Sequence, residues 1–469
     1  MTRRPVVTII GGGFSGTAIA YHLARQTSHN NLDIIVIEPR EKLGGGLAYS
    51  SVDPAHRINV PAAKMTMISA EPDHFSRWLA HDIASAEDSL ARTVKGDEFP
   101  QRSVFGRYVH DHVEPFLKTG QIQHIRAKAL GLTPADGRYA IVLGDGNIIS
   151  ADIIALATTH PLPSVPVALQ YLMGEERFVL DPYAENALAT IEPHHSVLVV
   201  GTGLTAADII ASLDRRGHRG LITALSRHGY RSRGHAAVPS DAYGTFGNDV
   251  TARSLLHNIR QTLKQATNNG LSWHPVLDAL RDQAPSIWSA LSARERQRLI
   301  RHLRSLWDVH RFRIAPQIEA VLDQRSREGT LAIIAASLQS AALNEGFKVS
   351  YRHRCSSNIE TGHFDAIVIT TGPAHTAIAK NNPLIGSLFE QGLLSADPVG
   401  LGLHTARTGQ AVGIKGAITE TLYIGGPLAR GTFGELMGVP EVTGYAEFIA
   451  QAIKNQIAAN TQVPKRQAS

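Results

Sequence analysis

Cysteine is nearly missing from this chain. Of 469 residues one, Cys355, is a cysteine, so no internal disulfide can close and no Cys-x-x-Cys pair exists to relay electrons through a dithiol. Flavin-to-disulfide relay of the thioredoxin or glutathione reductase kind is thereby excluded, and Cys355 reads as an inert residue on or beside a strand. Clustered metal ligands are missing too. The 22 histidines are scattered, and the doublet His194-His195, just ahead of a strand, reads as a solvated turn, so no metal site is expected. No run of about 18 apolar residues occurs, which excludes a membrane span. Met1-Thr2-Arg3-Arg4-Pro5 passes directly into a strand pattern without the apolar core of a signal peptide, which points to the cytoplasm. Charge of one sign is not concentrated either: the formal net charge of +5 is spread along the chain. It demands no nucleic acid and suits anionic nucleotides and an acidic substrate.

What is present is ordinary for a soluble globular protein, 43% apolar and 19% charged residues, in a chain long enough for two or three domains. The informative feature is a repeated turn. The apolar run Val6–Ile10 leads into Gly11-Gly12-Gly13-Phe14-Ser15-Gly16 and then a helical pattern from Thr17. This is G-x-G-x-x-G in strand-turn-helix context, the signature of a dinucleotide site. A pyrophosphate must lie against backbone N–H groups at a helix start, where any side chain would push it away. Gly11 permits the tight turn, Gly13 lets the backbone reach the phosphates, and Gly16 lets the helix pack on the strand. Phe14 and Ser15 stand at the start of that helix. The next strand, residues 32–37, ends in Glu38, about 20 residues on, where a carboxylate accepts both ribose hydroxyls of an adenosine.

The arrangement returns at Gly201-Thr202-Gly203-Leu204-Thr205-Ala206, after an apolar strand and before a second helical pattern. Two such turns imply electron transfer between two bound nucleotides, FAD and a nicotinamide nucleotide. At the second site the following strand ends in Ser226-Arg227-His228. With no acid to repel a 2′-phosphate and a guanidinium to bind one, NADPH is favoured over NADH. Arg231 and Arg233 lie just beyond.

The expected architecture is α/β, two Rossmann-like dinucleotide-binding domains with a helical insertion in the second. Residues 1–160 form the first part of the FAD domain, including a hairpin that turns at Gly144-Asp145-Gly146. Residues 194–372 form the NAD(P)H domain, with helices rich in Arg, Leu and Ala expected over about 251–342. Residues 373–460 complete the FAD domain, and 461–469 form a disordered tail. Strand-like segments around Ile154 and Ile367 serve as the hinges between domains.

These motifs resemble a known group. Glu38-Pro39-Arg40-Glu41-Lys42-Leu43-Gly44-Gly45 is similar to the glutamate-to-glycine-doublet segment of flavoproteins with two dinucleotide-binding domains. The two hinge strands resemble their A-T-G motifs, the second retaining Thr371-Gly372 while the first has Thr159 in place of glycine. Gly46-Leu47-Ala48-Tyr49-Ser50, His56-Arg57-Ile58-Asn59-Val60-Pro61-Ala62, Pro72 through Leu79, Trp307 through Pro316 and Leu422 through Gly431 resemble the bacterial FAD/NAD(P)-binding proteins of the YdhS type, over essentially the whole chain. Better understood relatives hydroxylate amines of ornithine, lysine or aspartate.

The resemblance implies cofactor contacts at Gly45, Gly372 and Gly426, the last where many flavoproteins have Gly-Asp. It also implies chemistry in which NADPH reduces the flavin and molecular oxygen then forms a C4a-hydroperoxide that hydroxylates a small amine or amino acid. Asn59 is the first candidate for flavin contact, because an amide donates without changing charge; a turn-stabilising Asn before Val-Pro is the alternative. His56 is a minor candidate for covalent FAD attachment. His310, with Arg311, Arg313, Thr432 and Glu435, is a candidate substrate pocket; a helix end with a buried Trp and an Asp–Arg surface pair is the alternative. Two other readings stay open, a reductase passing electrons to a quinone or protein and a nucleotide-binding protein without turnover. A homo-oligomer is compatible with all of them.

Overall fold

A strand covered by helices on both faces must be apolar on both, and the central strands obey this: Val7, Ile9, Val36, Ile154 and Val199 are shut off from solvent. The computed structural model describes residues 3–82, 87–158, 163–247, 249–372 and 378–462. In chain order, β1 (Val6–Ile10), β2 (Asp33–Ile37) and β3 (Ile122–Ile125) are parallel neighbours. A small antiparallel sheet follows, β4 (Ala129–Ala135), β5 (Arg138–Leu143) and β6 (Ile148–Ala151), and β7 (Ile153–Leu156) then joins β1 on its other side. The helix α1 (Phe14–Gln26) connects β1 to β2, and α2 (Arg102–Lys118) precedes β3.

The second sheet is built the same way. β8 (Phe178–Val179), β9 (Val197–Val200), β10 (Ile222–Ser226), β11 (Leu331–Leu343) and, later, β14 (Ala366–Ile369) are parallel in the order β8-β14-β9-β10-β11. β12 (Phe347–His353) and β13 (Ile359–Phe364) extend it as an antiparallel ribbon. α3 (Leu204–Arg215) follows β9. The chain then returns to the first sheet, where β15 (Gln410–Val412) and β16 (Ile418–Ile424) add an edge, β16 lying parallel to β7 with Leu422 opposite Ile154. The fold is thus α/β with two Rossmann-like units, the second interrupted by helices.

Those helices are α4 (Ala252–Asn268), α5 (His274–Ala290) and α6 (Ala293–Arg311), around their own core of Phe246, Leu255, Val276, Leu280 and Ile287. Thr251 and Ser292 cap α4 and α6 by accepting backbone N–H groups of Ser254 and Glu295. The expectation of helix through residue 342 is corrected. α7 (Pro316–Arg327) packs on α3 as the crossover helix, and β11 pairs with β10 from Ile222 opposite Leu331. Residues 331–342 are rich in Ala and Leu, good helix formers, and strand pairing overrides that preference. Arg325 locks α7 in place: almost fully buried, it donates to the His218 and Gly220 carbonyls at 2.7 and 2.8 Å.

At the C-terminus α8 (Val439–Gln462) packs on α1 and runs two residues into the segment expected as a disordered tail. Residues 463–469 and the first-hinge Thr159 lie outside the described residues. Among the described residues no helix is long and apolar enough to cross a membrane.

Candidate active site

In an open parallel sheet ligands bind at the carboxyl ends of strands where the strand order reverses. For the first sheet that point lies between β1 and β7. Gly11 sits there with φ +106°, and a Cβ on it would lie 2.4 Å from the Ala157 carbonyl oxygen. Gly16 is equally constrained, its added Cβ falling 1.9 Å from the Gly11 oxygen. Gly13 differs: its nearest obstacle is Gly46 Cα at 3.4 Å, an ordinary contact. Gly13 is the N-cap of α1 and no side chain caps that helix, so first-turn amides stay available to an anion. Phe14 contributes only backbone, because its ring is buried against Phe105 at 5.5 Å. Ser15 faces Gly426, whose added Cβ would lie 2.4 Å from Ser15 Oγ. Gly45 begins the short helix Gly46–Tyr49 that lays Gly46 against Gly13.

Glu38 is almost fully buried and already braces the turn. Its Oε2 accepts the Gly12 N–H at 2.9 Å, and Oε1 accepts Arg40 Nη1 at 2.9 Å. Oε1 also accepts the Arg40 N–H at 3.1 Å, so Oε2 is the oxygen that keeps a further lone pair for a ribose hydroxyl. Beside Gly11, the Thr158 hydroxyl is buried with no partner among the described residues. A bare glycine face, uncapped amides, a buried acid and an orphaned hydroxyl fit an anionic dinucleotide.

The second cradle repeats the geometry between β9 and β14. Gly201 has φ +132° with its Cβ direction blocked by Thr370, whereas a Cβ on Gly203, the uncapped start of α3, meets nothing within 4 Å. Gly372, three residues past β14, is equally open, and Thr205 stands in the first turn of α3. Past β10, Arg227 lines a cavity of about 250 Å³ with Ser337, Arg352, Arg354 and Cys355. Among the described residues no carboxylate lines it. Arg354 Nη1 lies 3.0 Å from His228 Nδ1, and burial together with the Arg354 and Arg227 charges holds His228 below the usual histidine pKa. Arg231 does not join them; it pairs with Asp323 at 2.6 Å. Cys355, expected to be inert, is exposed in this cavity in a left-handed turn with φ +65°. The sequence signal missed was the pair Arg352-x-Arg354, the first near the end of β12 and the second in the turn that follows it.

Between the two units runs a buried polar seam that the sequence did not reveal. Arg102 of α2 meets Asp208 of α3 at 2.7 Å, with side-chain exposures of 14% and 2%. Tyr183 donates to the same carboxylate at 2.7 Å, and Arg102 Nε donates to the Arg57 carbonyl at 2.9 Å. Burial is the strongest single influence on the Arg102 charge and opposes it, but Asp208 together with Tyr183 and Tyr49 outweighs burial and holds the guanidinium pKa above its ordinary value. His56 lies between Ser51 Oγ at 2.6 Å and Ser212 Oγ at 2.9 Å. With both ring nitrogens engaged it is a tie between the units rather than a point of flavin attachment. Asn59 also lies on this seam, its carbonyl accepting from His235 Nε2 at 3.0 Å.

Burial depresses the pKa of His56 and brings that of His235 to about 4. An unfolded chain takes these protons near pH 6.5, well above the folded protein. The seam therefore contributes its full stability above that pH and loses it as pH falls from 6.5 toward 4. The urea midpoint is expected to drop over this window, and His235→Gln to flatten the drop; a midpoint independent of pH there contradicts the assignment.

The candidate substrate residues are only partly brought together. Arg311 Nε donates to Glu435 at 3.0 Å and its Nη2 to Glu441 at 3.1 Å, while Trp307 Nε1 donates to Glu435 at 3.0 Å. Arg313 pairs with Asp278 at 2.6 Å, and Thr432 donates to the Thr405 carbonyl. His310 bonds the Leu306 carbonyl and stands edge-on to Trp273 at 4.8 Å. The expected open polar pocket is thus corrected: these charges neutralise one another, because ion pairs across the insertion cost less than leaving them desolvated alone.

Residues 8–161 match a family model described as FAD-NAD(P)-binding. Among solved structures the chain is similar to the L-lysine 6-monooxygenase from Pseudomonas syringae, at 17% identity and TM-score 0.65 over 96% of this chain and 99% of that one. It is also similar to an ornithine N-hydroxylase from Kutzneria sp. 744, KtzI with reduced FAD, NADP+ and L-ornithine, at 16% identity and TM-score 0.62 over 97% and 100%. The bacillithiol disulfide reductase Bdr from Staphylococcus aureus shares the fold at 13% identity and TM-score 0.56 over 97% and 99%. No curated protein matches the sequence.

Proposed function

We propose that this chain is an FAD- and NADPH-dependent monooxygenase that hydroxylates the nitrogen of a small amine or amino acid with molecular oxygen. The reading extends to kinship with the bacterial proteins of the YdhS type. The observation that carries it is the pair of cradles, each open at one glycine, Gly13 and Gly203, in one continuous body. Similarity to lysine and ornithine hydroxylases supports it.

In this reading residues 3–158 and 378–462 hold FAD, and the unit around β9 to β14 holds NADPH. Gly11, Gly13 and Gly16 bring the backbone to the FAD pyrophosphate, and Glu38 takes the ribose. Gly45 and Gly426 keep side chains away from the flavin side. Gly201, Gly203, Thr205 and Gly372 do the corresponding work for NADPH, and Arg227 with Arg352 and Arg354 takes the 2′-phosphate. FAD supplies the redox chemistry when bound. Asn59, on the seam, orients the reacting groups by its amide. His310 acts at most from a distance, through Trp273.

The test is to mix flavin-loaded protein with NADPH without oxygen, then admit oxygen in the presence of candidate amines. Bleaching followed by a hydroxylated product is expected. Bleaching with full turnover on an acceptor dye and no oxygenated product would instead show a reductase, and absence of bleaching a protein without turnover. Arg227→Ala is expected to raise KM for NADPH about tenfold, the loss of one charge-assisted contact, while leaving NADH unchanged. Alkylation of Cys355 by iodoacetamide should be slowed by NADP+ and not by NAD+; equal rates would remove the 2′-phosphate from this cavity.

A further inference from the structure

The insertion and the C-terminal part of the first unit enclose a cavity of about 170 Å³ whose wall is mostly hydrocarbon, with Leu280, Ile287, Leu303, Trp288 and Trp307 among its lining residues. It adjoins the flavin cradle through one segment. Gly426 packs on Ser15, and four residues later Arg430 lines the cavity. Trp288 Nε1 donates to the Gly431 carbonyl at 2.9 Å, fixing the helical wall to that segment.

Arg430 is the unexplained group. Its side chain belongs to a residue only 8% exposed, yet it has no hydrogen bond and no ion pair among the described residues. Three other arginines of this neighbourhood are engaged: Arg311 with Glu435 and Glu441, Arg304 with Asp308 at 3.4 Å, Arg296 with the Trp288 carbonyl at 2.7 Å. Burial lowers the Arg430 pKa, reinforced by Arg304, and the acids Asp308, Glu435 and Asp397 act on it only through space. A guanidinium on a residue this little exposed and without a protein partner is costly, and a fork of N–H donors at the edge of an apolar cavity matches one ligand chemistry well, a carboxylate on a hydrocarbon body.

We propose that this cavity binds a small apolar-bodied carboxylate, with Arg430 as its anchor and Trp288 and Trp307 walling its body. As a binding site this stands alone; as the substrate site it rests on the monooxygenase reading and narrows its substrate to an amino acid with an apolar chain.

The experiment is isothermal titration of the FAD-loaded protein with three matched probes: 4-phenylbutyrate, 4-phenylbutyramide and 4-phenylbutylamine. The carboxylate is expected to bind saturably, and the amide and amine about 10- to 100-fold more weakly, the span of one charge-assisted pair. Arg430→Met should erase that preference while its thermal midpoint stays level or rises, since an unpaired buried charge is removed. Leu303→Trp, which fills the cavity and leaves Arg430 in place, should weaken all three and keeps the test decisive if the Met variant does not fold. Equal affinity for carboxylate and amide, preference for the amine, no saturable binding, or preference surviving in Arg430→Met or full affinity in Leu303→Trp each overturns the proposal. Titration needs no turnover, so its failure with normal bleaching by NADPH removes only this site. The reverse result removes only the redox reading.

Discussion

Gly13→Ala is expected to give a folded, colourless protein. Gly13 has φ −69° and ψ −172°, values any residue adopts, and its added methyl reaches only ordinary contact with Gly46. The protein therefore has no reason to unfold, whereas a pyrophosphate approaching the α1 amides meets the methyl first. Losing two charge-assisted contacts lowers FAD affinity by at least on the order of 100-fold. Flavin absorbance per mole and the thermal midpoint of the apoprotein measure the two halves separately. Gly203→Ala is the matched control: it should keep its FAD and its colour and fail to bleach with NADPH. Gly16→Ala behaves otherwise, because the methyl would overlap the Gly11 carbonyl and the fold itself must shift. A yellow Gly13→Ala protein with wild-type FAD affinity would remove the first cradle from the mechanism.

Asp208→Ala is expected to cost about 3–5 kcal/mol, the range for stripping one partner from a buried ion pair. The Arg102 guanidinium and the Tyr183 hydroxyl both lose their carboxylate acceptor, and both belong to residues only partly open to water. Urea denaturation measures the loss. The double variant Arg102→Met with Asp208→Leu should recover much of it, since replacing both charges by hydrocarbon leaves no group unsatisfied. A double variant as unstable as Asp208→Ala would mean that shape, not charge, holds the seam. Because the seam joins the two nucleotide units, Asp208→Ala should also slow flavin reduction at saturating NADPH more than it weakens NADPH binding.

The glycine turns were legible because each performs a local task. A strand, a turn without side chains and a helix start lie within about 20 residues, and their order along the chain is their order in space. Cys355 shows the opposite case. Nothing near it in sequence discloses that β12 carries it, with Arg352 and Arg354, to the end of β10, over a hundred residues earlier in the chain. The insertion failed at its C-terminal boundary for a related reason. Residues 331–342 have helix-forming composition, and pairing with β10 up to Ala335 and with β12 from Ala336 on makes them a strand.

Arginine carries the same lesson at the candidate substrate site. Residue type marked Arg311 and Arg313 as anion binders, but packing gave each an acid, and left Arg430 alone beside a hydrocarbon cavity. Sequence by itself determined two phosphate cradles, their cofactor classes and the α/β frame, since those follow from short-range geometry and backbone approach. Which charges are spent on one another and which remain free for a ligand was decided only by the tertiary structure, because a carboxylate's partner is set by distance in space and by the cost of desolvating it.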